Sequence, residues 1–134
     1  MSVSRPALLD TSVLIAAEDG RRLDAEAVPT LTAVCVITIG ELHAGVLAAK
    51  DTDTRARRLA TLDAIAVLEP LPVTPEAARH WANLRVRLAE EGRSAKVNDL
   101  WIAAVAAAND LDVVTQDTDF DVIESVGGPT VIRV

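Results

Sequence analysis

The sequence is nearly without aromatic residues: Trp81, Trp101 and Phe120 are the whole complement, and tyrosine is absent. A core must therefore come from aliphatic side chains. Half of the 134 residues are hydrophobic, which is enough for a packed core without staples. The mix predicts Val/Ile-rich strands buried under Ala/Leu-rich helices. Cys35 is the one cysteine, so neither an internal disulfide nor a cysteine zinc site can form. A reducing cytoplasm suits such a chain. Gly-x-Gly-x-x-Gly and the P-loop pattern are both missing, which excludes the usual cradles for a dinucleotide or ATP. No Gly-x-Ser-x-Gly elbow is present either. The longest apolar run, residues 100–108, falls short of the roughly 20 residues that span a bilayer. Asp10 interrupts the first apolar stretch before a signal-peptide core could form. The expectation is a soluble cytoplasmic protein that meets no membrane.

Positive charge is also in short supply. Thirteen Lys and Arg face twenty Asp and Glu, for a formal net charge of −7. Taken alone this argues against nucleic acid, whose binding usually leaves a basic footprint. A carboxylate metal site would account for several of the negative charges, and bound cations would offset them. The basic residues are moreover grouped: Arg55, Arg57 and Arg58 in one stretch, and Arg79, Arg85, Arg87, Arg93 and Lys96 in another. Solvated helix faces are the plain alternative for both groups.

Hydrophobic periodicity and breakers divide all 134 residues as a single domain. Residues 7–9 read as a short strand ending at Asp10. A helix follows from Thr11 or Ser12 to the Asp19-Gly20 stop. Segment 21–31 has no clear period. Residues 33–37 read as a second buried strand, and Thr38-Ile39-Gly40-Glu41 opens a helix. Residues 54–66 form another, with Leu59, Leu62, Ile65 and Ala66 on one face. Pro70 and Pro72 reduce 67–73 to an edge strand at best. Thr74-Pro75-Glu76 supplies a cap, a first-turn proline and a first-turn acid for a long helix ended by Gly92. Ala77, Trp81, Leu84 and Leu88 make its core stripe. Residues 97–108 form an Ala-rich helix with Leu100, Trp101, Ala104 and Ala108 in register. A strand at 113–115, a short helix at 120–126 and a last strand at 130–134 follow. Strands alternating with helices imply a parallel sheet covered on both faces.

Four acids stand out by position. Asp10 follows the first strand, and Asp117 the third. Glu41 lies just beyond the second strand, in the expected first turn of its helix. Asp99 lies in the first turn of the Ala-rich helix. Ligands of an open parallel sheet bind beyond the carboxyl ends of its strands, so acids distant in sequence can converge there. Each has a plain reading: Asp10, Asp117 or Asp119 as a helix cap, Thr38 with Glu41 as a capping box, Asp99 as a complement to the helix dipole. Four such junctions each carrying an acid favour a shared role. Crowded carboxylates repel, and a divalent cation relieves them. All-oxygen donors suit Mg²⁺ or Mn²⁺, ions that activate water and neutralise charge on phosphate oxygens. Phosphodiester hydrolysis is the natural reaction. His43 and His80 have no metal-ligand spacing, and Asp10-Thr11-Ser12 lacks the second Asp of a dehalogenase-type phosphatase.

Four segments, in order, resemble the motifs of PIN-domain proteins, most closely the VapC toxins of toxin–antitoxin pairs. They are Leu8-Leu9-Asp10-Thr11-Ser12-Val13-Leu14-Ile15, Ile37-Thr38-Ile39-Gly40-Glu41-Leu42, Asn98-Asp99-Leu100-Trp101-Ile102-Ala103-Ala104 and Val114-Thr115-Gln116-Asp117-Thr118-Asp119-Phe120. The resemblance spans essentially the whole chain. It implies a three-layer α/β/α sandwich on a mostly parallel sheet, and a Mg²⁺- or Mn²⁺-dependent endoribonuclease. It makes Asp10, Glu41, Asp99 and Asp117 the catalytic metal-binding acids, with Asp119 as a variable fifth. Thr11, Ser12 and Thr115 become supporting hydroxyls. It further implies a VapB-like antitoxin, a homodimeric toxin and RNA as substrate. Arg93 and Lys96, just upstream of Asp99, are expected to contact the RNA backbone. Two other readings remain open at the level of sequence: a PIN-like scaffold that binds RNA or protein without cutting, and a DNA-directed flap nuclease or exonuclease.

Overall fold

The computed structural model describes residues 5–134. Its sheet has four parallel strands: β1 (Ala7–Leu9), β2 (Thr32–Ala33), β3 (Asp112–Thr115) and β4 (Val131–Arg133), in the order β2-β1-β3-β4. Among the described residues six helices accompany them: α1 (Thr11–Glu18), α2 (Val36–Leu47), α3 (Thr52–Ile65), α4 (Pro75–Glu90), α5 (Val97–Ala108) and α6 (Asp121–Ser125). The unassigned segment after α1 holds a short 3₁₀ turn at Ala25–Ala27.

Alternation along the strands separates two apolar layers. Leu8 and Val113 pack with Leu84 and Leu88 of α4, Ile102 and Val105 of α5 and Ile123 of α6. Ala7, Leu9 and Val114 point the other way, onto Val13 of α1, Leu42 of α2 and Ile65 of α3. The result is the expected α/β/α sandwich. In α5, every side chain from Ile102 to Ala106 is fully buried, so this helix is enclosed rather than amphipathic. Its alanines permit that close approach. Trp81 and Trp101 stack at 4.8 Å, tying α4 to α5.

The start of α4 is as its sequence predicts: Thr74 Oγ1 accepts from the Ala77 N–H at 3.1 Å, and Pro75 occupies the first helical position. Three expectations are corrected. The second strand does not run over 33–37; it ends at Ala33, and α2 begins at Val36 with Cys35 as its N-cap. The chain turns early because Val34 and Cys35 are secured by a single bridge to Leu71 (Leu71 N–H to Val34 O at 2.9 Å, Val36 N–H to Leu71 O at 3.0 Å) rather than by a continued ladder. The flanking prolines offer no N–H to extend it, so 67–73 contributes a bridge and not a strand. Glu41 consequently sits in the second turn of α2, not the first. Finally, α3 buries only its last turn: Ile65 is in the core, whereas Leu59 and Ala66 are exposed.

Candidate active site

The order β2-β1-β3-β4 places β1 and β3 side by side in the middle of the sheet, with connections leaving to opposite sides. The carboxyl ends of these two strands form the crevice where such sheets bind ligands. Asp10 leaves β1 there, and Thr115 ends β3 beside it, with Asp117 two residues on.

Asp10 stands at the N-cap of α1 but makes no capping bond with its side chain. Its Oδ2 instead accepts from Ser12 Oγ at 2.5 Å and from Thr115 Oγ1 at 2.9 Å. Both hydroxyls are themselves fixed: the Gln116 N–H donates to Ser12 Oγ at 3.1 Å, and the Asp117 N–H to Thr115 Oγ1 at 3.0 Å. With a backbone donor on each oxygen, each hydroxyl proton is directed at Asp10. Ser12 and Thr115 thus orient the Asp10 carboxylate. Burial pushes the Asp10 carboxyl above its ordinary value, and Asp117 adds to the rise; the two hydroxyls work against it.

Thr11 ties the second acid to the first. Its Oγ1 donates to Glu41 Oε1 at 2.7 Å and lies 3.0 Å from Thr38 Oγ1. Thr38 is fully buried. It is not a cap, and the capping-box reading of Thr38 with Glu41 fails because the helix starts two residues earlier. Sequence reasoning missed Thr38 as a support; its spacing of three from Glu41, which puts both on one helix face, was the available signal.

Asp99 lies in the first turn of α5. Its Oδ2 is buried and has no hydrogen-bond partner. Burial is the main reason its carboxyl is pushed up to about 7; the charges of Asp10, Asp119 and Glu41 raise it further, and Lys96 pulls the other way. Lys96 Nζ donates to Asp119 Oδ2 at 2.8 Å, a pairing the sequence did not suggest. Lys96 therefore stands among the acids, held protonated mainly by Asp119, with Asp99 and Asp117 adding to the effect. Arg93 turns elsewhere, to Ser125 Oγ at 3.4 Å. Phe120 is the N-cap of α6, so neither Asp117 nor Asp119 caps that helix.

The structure thus gathers Asp10, Glu41, Asp99, Asp117 and Asp119 into one electrostatic neighbourhood. Among the described residues, no three Asp, Glu, His or Cys side chains close into a ready ion cage. Mg²⁺ commonly retains several waters beside one or two carboxylates, so a ready cage of three is not required. An all-carboxylate donor set with one buried oxygen lacking any partner fits a hard divalent cation.

Beside Glu41, a cavity of about 160 Å³ opens between α1 and α2, lined by Ile15, Glu18, Asp19, Leu42, Gly45 and Arg58. A second, of about 430 Å³, lies between Ser94, Ala95 and Lys96 on one side and Thr118, Asp119 and Val122 on the other.

Residues 7–125 match the PIN domain family. Ribonuclease VapC5 of Mycobacterium tuberculosis is 54% identical over 127 residues, covering 95% of this chain and 94% of the relative. Ribonuclease VapC4 of the same organism is 37% identical, covering 91% and 94%. The crystal structure of VapBC-5, a member of the VapBC family of toxin–antitoxin systems from M. tuberculosis, superposes with a TM-score of 0.90 at 50% identity, over 98% of this chain and all of the other.

Proposed function

The chain belongs to the PIN domain family, and from that premise we propose that it is a divalent-metal-dependent endoribonuclease acting as the toxin of a type II toxin–antitoxin pair. Likeness to proteins named as VapC ribonucleases over nearly the full length supports the activity. The observation that carries it to this chain's own residues is the unpartnered, buried Asp99 Oδ2, on a carboxyl that feels the charges of Asp10 and Glu41.

Asp10, Glu41, Asp99 and Asp117 would hold Mg²⁺ or Mn²⁺, with Asp119 as a further ligand once released from Lys96. Such an ion neutralises charge on phosphate oxygens and lowers the pKa of water. The chain's own groups do the positioning. Ser12 and Thr115 fix Asp10 by two donated protons, and Thr11 fixes Glu41. Burial holds the Asp99 carboxyl at about 7, so it is only partly ionised near neutrality, and a bound cation would favour its charged form. Lys96, paired with Asp119 at 2.8 Å, would be free to meet a phosphate once Asp119 turned to the ion. Asp99→Asn preserves shape and removes a charge. It should abolish RNA cleavage, as should excess EDTA; full cleavage in either case would overturn this reading and favour a non-metal site.

The cognate partner is proposed to be a VapB-like antitoxin that places an Arg or Lys near the acids. The cavity beside Glu41 supports this: three acids, Glu18, Asp19 and Glu41, line it against one cation, Arg58, which donates to the Gly45 carbonyl, and Ile15 offers a partly exposed apolar wall. Of the apolar side chains beside it, Leu42 belongs to the core, while Ile15 remains reachable. A homodimer accords with the family; light scattering on the purified chain measures it.

A further inference from the structure

Arg85 and Arg93 line one cleft of about 260 Å³ at the junction of α4 and α5, over a floor that includes Leu88 and Leu100. Both side chains are exposed, and neither pairs with a carboxylate among the described residues. Two unneutralised guanidiniums thus share one cleft in a chain of net charge −7. Arg85 is also held in place. Its guanidinium lies 5.3 Å from the centre of the Trp81 ring, and Trp81 is stacked on Trp101. A cation over a ring face is restrained without using its N–H donors. Arg93 spends one long bond on Ser125 Oγ, an exposed hydroxyl that a stronger acceptor can replace. The guanidinium fork suits phosphate oxygens.

The cleft also adjoins the acids. Ser94 and Ala95 line it on one side, and line the cavity of Lys96 and Asp119 on the other. Val97 and Leu100, from the turn of α5 that carries Asp99, complete it. A strand lying across residues 94–95 would reach from the acids to the two arginines. We propose that this cleft is an anion subsite for a backbone phosphate of the RNA, beyond the phosphate that is cut. Arg85 and Arg93 are its ligands, and the Trp81–Trp101 stack is its support. The inference rests on the ribonuclease reading and replaces Lys96 with Arg85 as the companion of Arg93.

The test uses the cleavage-disabled Asp99→Asn chain and a fluorescein-labelled single-stranded RNA of mixed sequence, with affinity measured by anisotropy over a series of salt concentrations. Arg85→Gln and Arg93→Gln keep the length of the side chains and remove the charge, and thermal melts check that each variant is folded. For a single strand, each phosphate left without its cation lowers the salt slope by about 0.7. The double variant should show that reduction and a several-fold weaker affinity at low salt. Arg57→Gln, on α3 and outside the cleft, should leave the slope unchanged. RNA binding should also alter the tryptophan fluorescence of the Asp99→Asn chain, and the alteration should vanish with Arg85→Gln. An unchanged slope in the double variant overturns the subsite and leaves the ribonuclease reading intact. Loss of a co-purified protein partner with unchanged RNA binding would assign the cleft to that partner and likewise overturn it. Absence of any RNA binding or cleavage by the unmodified chain overturns both.

Discussion

Asp99 begins α5, where unpaired helix N–H groups favour a negative charge, yet its carboxyl is pushed up to about 7. Burial, with Asp10, Asp119 and Glu41 behind it, outweighs the helix end and Lys96. A consequence for stability follows from the sign of that shift. The folded value lies above the ordinary 3.8, so the folded chain binds the proton more tightly than the unfolded one. The stabilisation is complete below about 3.8 and is lost as the pH rises through about 7. Asp10, raised mainly by burial, acts in the same direction. In EDTA, calorimetry should find Tm falling as the pH is raised across this window. Asp99→Asn should flatten much of the fall and melt higher than the parent at the alkaline end. Parallel profiles for the two proteins would mean that Asp99 does not carry the strain. Asp10, Asp99 and Asp117 lie where local sequence put them, after β1, in the first turn of α5 and after β3, whereas Glu41 does not lie in the first turn expected for it. The pairing of Lys96 with Asp119 and the burial of Thr38 were not legible in the sequence, because each depends on which elements meet in space.

Elements with strong local signals also formed where the sequence put them. Helix α4 has its cap, its first-turn proline and its apolar stripe in agreement, and it runs as expected from Thr74 to the turn at Gly92. Thr74→Ala removes one cap hydrogen bond and should cost about 1 kcal/mol of stability. Urea denaturation should show a lower midpoint with an unchanged slope; no shift would mean that the helix start is held by packing alone. Helix α5 matched at both ends, and its extra burial escaped notice because a run of alanines carries little periodic contrast. The second strand failed for a different reason. Val36 and Ile37 favour strands by propensity, but the chain must turn at Cys35 to bring Thr38 and Glu41 to Thr11, and tertiary contacts prevailed. At the end of β3, Thr115 transmits strand position to Asp10. Thr115→Val keeps the shape and removes one of the two protons that fix Asp10 Oδ2. The metal concentration needed for half-maximal RNA cleavage should rise roughly 10–100-fold, as is typical when a ligand loses its supporting bond. Recovery of the rate at high Mn²⁺ would separate this effect from general damage; a lowered rate at every metal concentration would point to damage instead.

On the scale of the whole molecule, the alternation of strands and helices was sufficient to give a parallel sheet covered on both faces, and the strand order explains why acids from separate segments converge. A partner's footprint has no such periodic signature: the apolar side chains of α1 and α2 serve core and surface alike, and only the fold shows Leu42 inside and Ile15 at the rim. The concentration of negative charge at one end of the sheet sets up a competition. A divalent cation and an antitoxin's cationic side chain would satisfy the same carboxylates, so each should bind more weakly in the presence of the other. Metal alone should raise Tm, because it binds only the folded cluster. With the chain co-expressed beside the small reading frame next to its gene and purified as a complex, RNA cleavage should be suppressed. Titrating Mn²⁺ should loosen the complex and restore cleavage in step. Asp99→Asn should weaken the metal's grip more than the antitoxin's apolar contacts, so its complex should resist Mn²⁺ over a range that dissociates the parent. Were the two complexes to dissociate at the same Mn²⁺ concentration, or were the neighbouring product to bind while leaving cleavage intact, the antitoxin would not be acting through these carboxylates.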